Sequence, residues 1–261
     1  MRTIKSVRAF LGGFQLELRA VRANPDSLIP LFTAPLFTII FLTIVRNHGR
    51  HDLQPDALMA PVLMTMWWFA LFQGGNMLTN DRWQAMLENV LATPASLASV
   101  ILGRITAFMG LGLVGFFEVW AIGKLVFDVS IPFEHPLELA LTLVCTAFAM
   151  AGTAVAFAAL FVMSRNSYQF TNSASFPFYV LGGVFFPVAI LPGWIQPISK
   201  GVFLSWSADL LRASLKPADV HDFWRRLAMV VVLGSISFLV GRLILFYVMR
   251  RMRTTGELAT A

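Results

Sequence analysis

The chain has 261 residues, 57% of them hydrophobic and 13% charged, with a formal net charge of +6 at pH 7 and a mean hydropathy of +0.71. Such values exclude an ordinary soluble domain and call for a polytopic membrane protein. The positive charge is not gathered on a soluble module, so it argues for topology signals and contact with membrane lipid, and no nucleic-acid partner is expected.

Residues 1–27 carry Arg2, Lys5, Arg8, Arg19 and Arg22 without the continuous apolar core of a cleavable signal peptide, and are expected to remain in the mature protein. Ile4, Val7, Leu11, Phe14, Leu18 and Val21 recur at spacings of three and four, which gives a basic helix one apolar stripe. That pattern suits an amphipathic helix lying in the headgroup plane; the alternative is packing on a soluble partner or on the chain's own spans. Asn24-Pro25-Asp26-Ser27 breaks it, and 28–261 is expected to form the membrane domain.

Apolar runs of about 18 or more residues, each enough to cross roughly 30 Å of hydrocarbon, occur near 28–45, 57–78, 100–127, 137–163, 172–190 and 224–249. No stretch alternates apolar and polar residues as a barrel strand does, so the expected fold is all-α with six transmembrane helices. Basic residues cluster before the first span and after the sixth, at Arg250, Arg251 and Arg253, while 128–136 has none. Both termini are therefore expected in the cytoplasm, with Arg46, Arg50, Arg225 and Arg226 standing against the rule on the outer side.

Between spans two and three lies TNDRWQAMLENVLATPASLAS (79–99). Trp83, Met86, Leu87, Val90 and Leu91 repeat at helical intervals, Asp81, Arg82, Gln84, Glu88 and Asn89 fill the other face, and Pro94 ends the pattern before Ser96 can cap the third span. A short amphipathic helix on the cytoplasmic side, longer than a connection needs, implies a surface to be docked. After the fifth span, Gly182-Gly183, Pro187, Pro192-Gly193 and Pro197 interrupt an otherwise apolar sequence up to Trp224. Short re-entrant or interfacial helices on the outer side are expected there.

Spans two and five are rich in aromatic residues, among them Trp67, Trp68, Phe69 and Phe72, then Phe176, Phe178, Tyr179, Phe185 and Phe186. Any one of them suits helix packing or a lipid-facing belt. Together with Gln73, Asn76, Asn172, Ser173 and Ser175 they form aromatic walls with scattered hydrogen-bonding groups, a lining suited to an amphipathic ligand. Among ionisable residues inside spans, Arg104, Lys124 and Arg242 lie near span ends and can snorkel. Glu118 is too short to snorkel far and calls for either a structural partner or a place on a polar path.

No GxxxxGK[ST], HExxH or GxSxG motif occurs, the four histidines fall in predicted outer loops, and Cys145 stands alone inside the fourth run. No catalytic residue, metal site or resident cofactor is expected. An intramembrane lipid-modifying enzyme would need a polar cluster of which only Glu118 is visible, and a passive channel or scaffold would leave the docking helix unexplained.

Two motif regions carry a family resemblance. Asp81-Arg82, Leu87-Glu88, Leu91, Thr93-Pro94, Ser96 and Leu102-Gly103-Arg104 match, in order and spacing, the pattern joining spans two and three in the six-span permease subunits of type 2 ATP-binding-cassette exporters. Gly183, Phe185-Phe186-Pro187, Leu191-Pro192, Trp194 and Asp209 with Arg212 match that family's later pattern. Ala85-Met86 in place of Gly-Thr, Asp81 in place of Glu, and Phe203 where a Pro is common are departures. The chain thus resembles permeases that export drugs, natural products, lipo-oligosaccharides or polysaccharides across the bacterial cytoplasmic membrane. The resemblance implies a coupling helix, with Asp81, Arg82, Leu87, Glu88, Leu91, Thr93 and Pro94 at the ATPase contact. It also implies a cytoplasmic ABC ATPase that binds ATP and Mg, a second permease subunit, the same chain in preference to the other half of a heterodimeric pair, and a substrate path between spans two and five. The candidate path residues are Trp67, Phe72, Gln73, Asn76, Glu118, Asn172, Phe176, Tyr179 and Phe186.

Overall fold

The computed structural model describes residues 2–83, 97–129, 135–161, 164 and 166–255, and every regular element among them is helical. Helix α1 (Arg2–Ala23) gives way to a 3₁₀ turn at Pro25–Leu28, where proline's missing N–H and fixed φ favour a fresh start, and α2 (Ile29–Asn47) follows. Helix α3 (Gln54–Trp68) runs through a π-helical turn, Phe69–Gly74, into α4 (Met77–Trp83). Helices α5 (Leu97–Phe127), α6 (Pro136–Phe161) and α7 (Ser167–Leu181) come next. The short helices α8 (Gln196–Lys200) and α9 (Phe203–Ala213) precede the long α10 (Phe223–Thr255).

Among the described residues five stretches are long and apolar enough to cross a membrane: Pro25–Asn47, Gln54–Trp83, Ala98–Phe127, Pro136–Phe161 and Phe223–Val248. The second is central, with 78% of its most apolar window buried, against 28% for the first and 22% for the last. The fifth expected run, 172–190, is instead built from the 15-residue helix α7, which begins earlier and stops at Leu181. At 1.5 Å per residue α7 is about 22 Å long. It stops because Gly183 takes φ +62, a conformation that costs a residue with a side chain, and a Cβ there would sit 2.9 Å from Val188 Cγ2.

Glycines set the tightest seams. A Cβ on Gly234 of α10 would fall 2.7 Å from Ala149 Cα, and one on Gly241 2.6 Å from Ala156 N, so α6 and α10 meet backbone to backbone. Small residues serve this purpose in a lipid-soluble bundle, where the contact must come from dispersion and close approach. The α1–α5 seam is alike: a Cβ on Gly13 would overlap the Val100 carbonyl, and one on Gly103 the Phe10 carbonyl. Of the two uses expected for the N-terminal helix, packing against the chain's own span is therefore observed. The packed side holds Gly13, Glu17 and Val21, while Val7 and Leu11 stay 54% and 50% exposed.

Candidate functional site

Helices α2, α3 and α7 enclose an open groove of about 540 Å³. The α2 wall presents Thr33, Phe37 and Phe41, the α3 wall Met64, Trp68 and Phe72, and the α7 side Asn172, Phe176 and Tyr179, with Phe185 beyond. Trp68 and Phe72, one helical turn apart, stack at 4.0 Å between ring centroids. Tyr179 meets Phe185 edge-on at 5.5 Å and Phe176 at 6.5 Å. Among the described residues the Trp68 indole N–H has no acceptor, and the Asn172 side chain is exposed. A second hollow continues the same side past Phe41 and Phe185 to Phe186, Pro187 and Asp56.

The wall between groove and core is held by polar contacts. Trp67, fully buried, donates its indole N–H to Ser175 Oγ at 3.3 Å and packs its ring 4.8 Å from Phe178 and 6.4 Å from Tyr179. In the π turn, Gly75 N–H donates to the Ala70 carbonyl at 2.9 Å. The inserted residue frees carbonyls. The buried Asn76 amide serves the Leu71 and Phe72 carbonyls at 3.4 and 3.2 Å and reaches across to Thr171 Oγ1 of α7 at 3.2 Å. Asn76 thereby ties span two to α7.

Of the residues expected along the path, Phe72, Asn172, Phe176 and Tyr179 line the groove and Phe186 lines its continuation. Trp67 and Asn76 stand behind the wall, each 0% exposed, and the half-buried Gln73 is not among the lining residues. Glu118 is half-buried on α5, away from the lining, with Oε2 lacking a hydrogen-bond partner among the described residues. Trp68 lines the groove centrally, and the i, i+4 spacing Trp68/Phe72 was the signal for it.

Of the residues expected at the ATPase contact, Leu87, Glu88, Leu91, Thr93 and Pro94 lie outside the described residues. Asp81 and Arg82 sit on α4. Asp81 is 8% exposed and accepts from Arg104 Nη1, while Arg104 Nε donates to Glu17 at 2.5 Å. Arg104 was expected to snorkel. It is instead 11% exposed at the side chain and bridges α1, α4 and α5, because burial makes ion pairing the only inexpensive solvation for a guanidinium. Nearby, Tyr168 donates to Asn80 Oδ1 at 2.8 Å and stacks on Trp83 at 5.9 Å, joining α4 to the start of α7.

At the other end of the bundle Arg212 plays the same part. It is 4% exposed, ion-pairs with Asp56 at 2.5 Å, lies 3.7 Å from Asp209, and donates to the carbonyls of Gly183 and, at 2.9 Å, Val184. It fastens the start of α3, the end of α7 and helix α9. Asp56 was not singled out by sequence, since an acidic residue in the first turn of a helix is ordinary capping chemistry.

A family model described as ABC-2 type transporter matches residues 14–215, a stretch that holds the groove and both arginine clusters. No curated protein matches the chain.

Proposed function

Since the chain belongs to the ABC-2 type transporter family, as the permease subunit of a type 2 ABC exporter, we propose that the groove between α2, α3 and α7 is half of its translocation path. Family membership implies an ABC ATPase partner. The other half comes from a second copy of this chain, so that two grooves face each other across a dimer. The cargo is amphipathic: a drug-like natural product, or the lipid-linked end of a glycan. The observation that carries this reading is the groove's make-up, in which stacked aromatics supply apolar area while, among the described residues, the Trp68 N–H has no acceptor and the Asn172 side chain is exposed. Such a site binds by burial and orients by a few polar contacts.

In this reading the chain crosses the bacterial cytoplasmic membrane six times, α7 being the short fifth crossing, with both termini in the cytoplasm. α8 and α9 form the outer re-entrant segment. The ATPase binds ATP and Mg and grips a coupling helix that includes Glu88. Its closure moves α4, and α4 carries α1 through the Arg104 bridge and α7 through Tyr168, so the groove walls shift as packed bodies.

Two substitutions test the path and the docking separately. Phe176→Ala, at a residue 66% exposed, removes a stacking face without opening the core. It is expected to change which amphipathic compounds stimulate ATP hydrolysis by the assembled exporter, at unchanged assembly. An unaltered ligand profile and transport rate would place the cargo elsewhere. Glu88→Arg should leave the permease inserted but abolish ATPase co-purification and substrate-stimulated hydrolysis; co-purification and transport at parental levels would sink the coupling assignment.

A further inference from the structure

On the side of the bundle away from the aromatic groove, α5, α6 and α10 leave a separate hollow of about 370 Å³. Its walls are almost wholly hydrocarbon: Leu102 of α5, Val155 of α6, and Phe238, Leu239 and Leu245 of α10, with Arg242 among the lining residues. The hollow follows from the seams already described. Gly234 and Gly241 draw α10 hard against α6, and Phe238 packs its ring on Phe148 of α6 at 5.0 Å. Leu102 and Leu239, 39% and 58% exposed, leave the hollow open to lipid.

Among the described residues Arg242 has no partner. Its side chain is exposed and makes no hydrogen bond or ion pair among the described residues, in contrast to Arg104 and Arg212. Among the described residues carboxylates are scarce around it: α10 has none, α5 and α6 carry only Glu118 and Glu138, each far along its helix from the hollow, and Glu17 of α1 is committed to Arg104. From Trp224, at the start of α10, to Arg242 is about 27 Å at 1.5 Å per residue. This puts the guanidinium near the far boundary of a hydrocarbon layer roughly 30 Å thick, at the end of the bundle that also carries the α1–α5 seam and the C-terminal end of α10.

We propose that this hollow is a specific site for an anionic phospholipid, whose acyl chain fills the groove between α5, α6 and α10 while its phosphate accepts hydrogen bonds from Arg242. The chemistry is complementary on both counts. An apolar trough open to the bilayer selects a lipid tail over a soluble anion, and a planar guanidinium at headgroup depth pairs with a phosphate bidentately. A zwitterionic lipid carries its own ammonium, which competes for the same phosphate and weakens the contact. Because α5 also bears Gly103 and Arg104, an occupied site would brace the helix on which α1 is seated. The site does not depend on the cargo path and stands on a different face.

The test uses the full-length detergent-purified permease and native mass spectrometry titrated with phosphatidylglycerol, phosphatidylcholine or soluble glycerol phosphate. Phosphatidylglycerol should bind preferentially and raise the unfolding temperature, and glycerol phosphate should neither bind nor compete. Arg242→Gln should weaken phosphatidylglycerol about tenfold, the fold-change a charge-assisted hydrogen bond supports, and Arg242→Lys should recover part of it. Should Arg242→Gln fold poorly, Leu239→Trp, at a lipid-exposed position, fills the trough with the arginine intact and should displace the lipid. Equal binding of phosphatidylcholine, competition by glycerol phosphate, or parental phosphatidylglycerol binding by either variant would each overturn the proposal.

Discussion

Arg104 is one cation shared by two carboxylates, Glu17 from α1 and Asp81 from α4, in a site where all three side chains are nearly enclosed. A single guanidinium cannot offset the desolvation of both. Burial outweighs the attraction of Arg104 and pushes the Glu17 carboxyl above its ordinary range. The folded state therefore holds that proton to higher pH than the unfolded chain does. Stability from this group is complete below the ordinary glutamate range and declines as pH rises from there through the raised value. Glu17→Gln removes the decline, so in detergent it should unfold at or above the parental temperature at pH 8, with the difference shrinking towards pH 5. Arg104→Met should do the opposite, leaving two carboxylates buried without a cation at a cost of about 3–5 kcal/mol. A Glu17→Gln protein much less stable than the parent at pH 8 would mean that the pair is worth more than its desolvation.

Helix α7 is defined by what stops it. Fifteen residues give it about 22 Å, and its end is fastened from outside by Arg212, which donates to the Gly183 and Val184 carbonyls and reaches Asp56 at the foot of α3. Those carbonyls have no helical donor once Gly183 has turned the chain, so the guanidinium does the work of a C-cap. Arg212→Met should lower stability by about 3–5 kcal/mol, since it strands a buried carboxylate as well as two carbonyls. Asp56→Asn, which keeps shape and hydrogen-bonding capacity, should cost less. Thermal unfolding of the two single variants and the double variant measures the coupling, and strictly additive effects would show that Arg212 and Asp56 act independently.

Across the whole molecule, the number of membrane crossings turns on whether α7 spans, because the five long helices alone would leave the termini on opposite sides. Asn166, just before α7, and Asp219, before α10, are both exposed. In a Cys145→Ala background, Asp219→Cys is expected to react with an impermeant thiol reagent added to intact cells, or to spheroplasts of a double-membraned host. Asn166→Cys should react only after lysis. Labelling of both from the same side would leave α7 as a re-entrant helix and the chain with five crossings.

Composition alone determined the class of this protein, because 57% hydrophobic residues in long runs have no stable arrangement except as helices in lipid. Spacing marked 79–99 and 175–217 as departures from plain spans, the first by an amphipathic pattern ended by Pro94 and the second by Gly and Pro that interrupt apolar sequence. Most of the aromatic lining was legible too: Phe72, Asn172, Phe176 and Tyr179 do share one groove. Which side chains face the groove and which stand behind it was decided only by tertiary structure. Trp67 and Asn76 bond inward to Ser175 and Thr171 while Trp68 and Phe72 face the groove, and the π turn at Phe69–Gly74 shifts the helical register between Trp67 and Asn76. The partners of Arg104 and Arg212 were hidden for a related reason. Glu17 lies 87 residues from Arg104 along the chain, and only the close approach allowed by Gly13 and Gly103 brings them together. Local sequence records the need of a buried charge for a counter-charge, but the packing of distant helices decides which residue meets it.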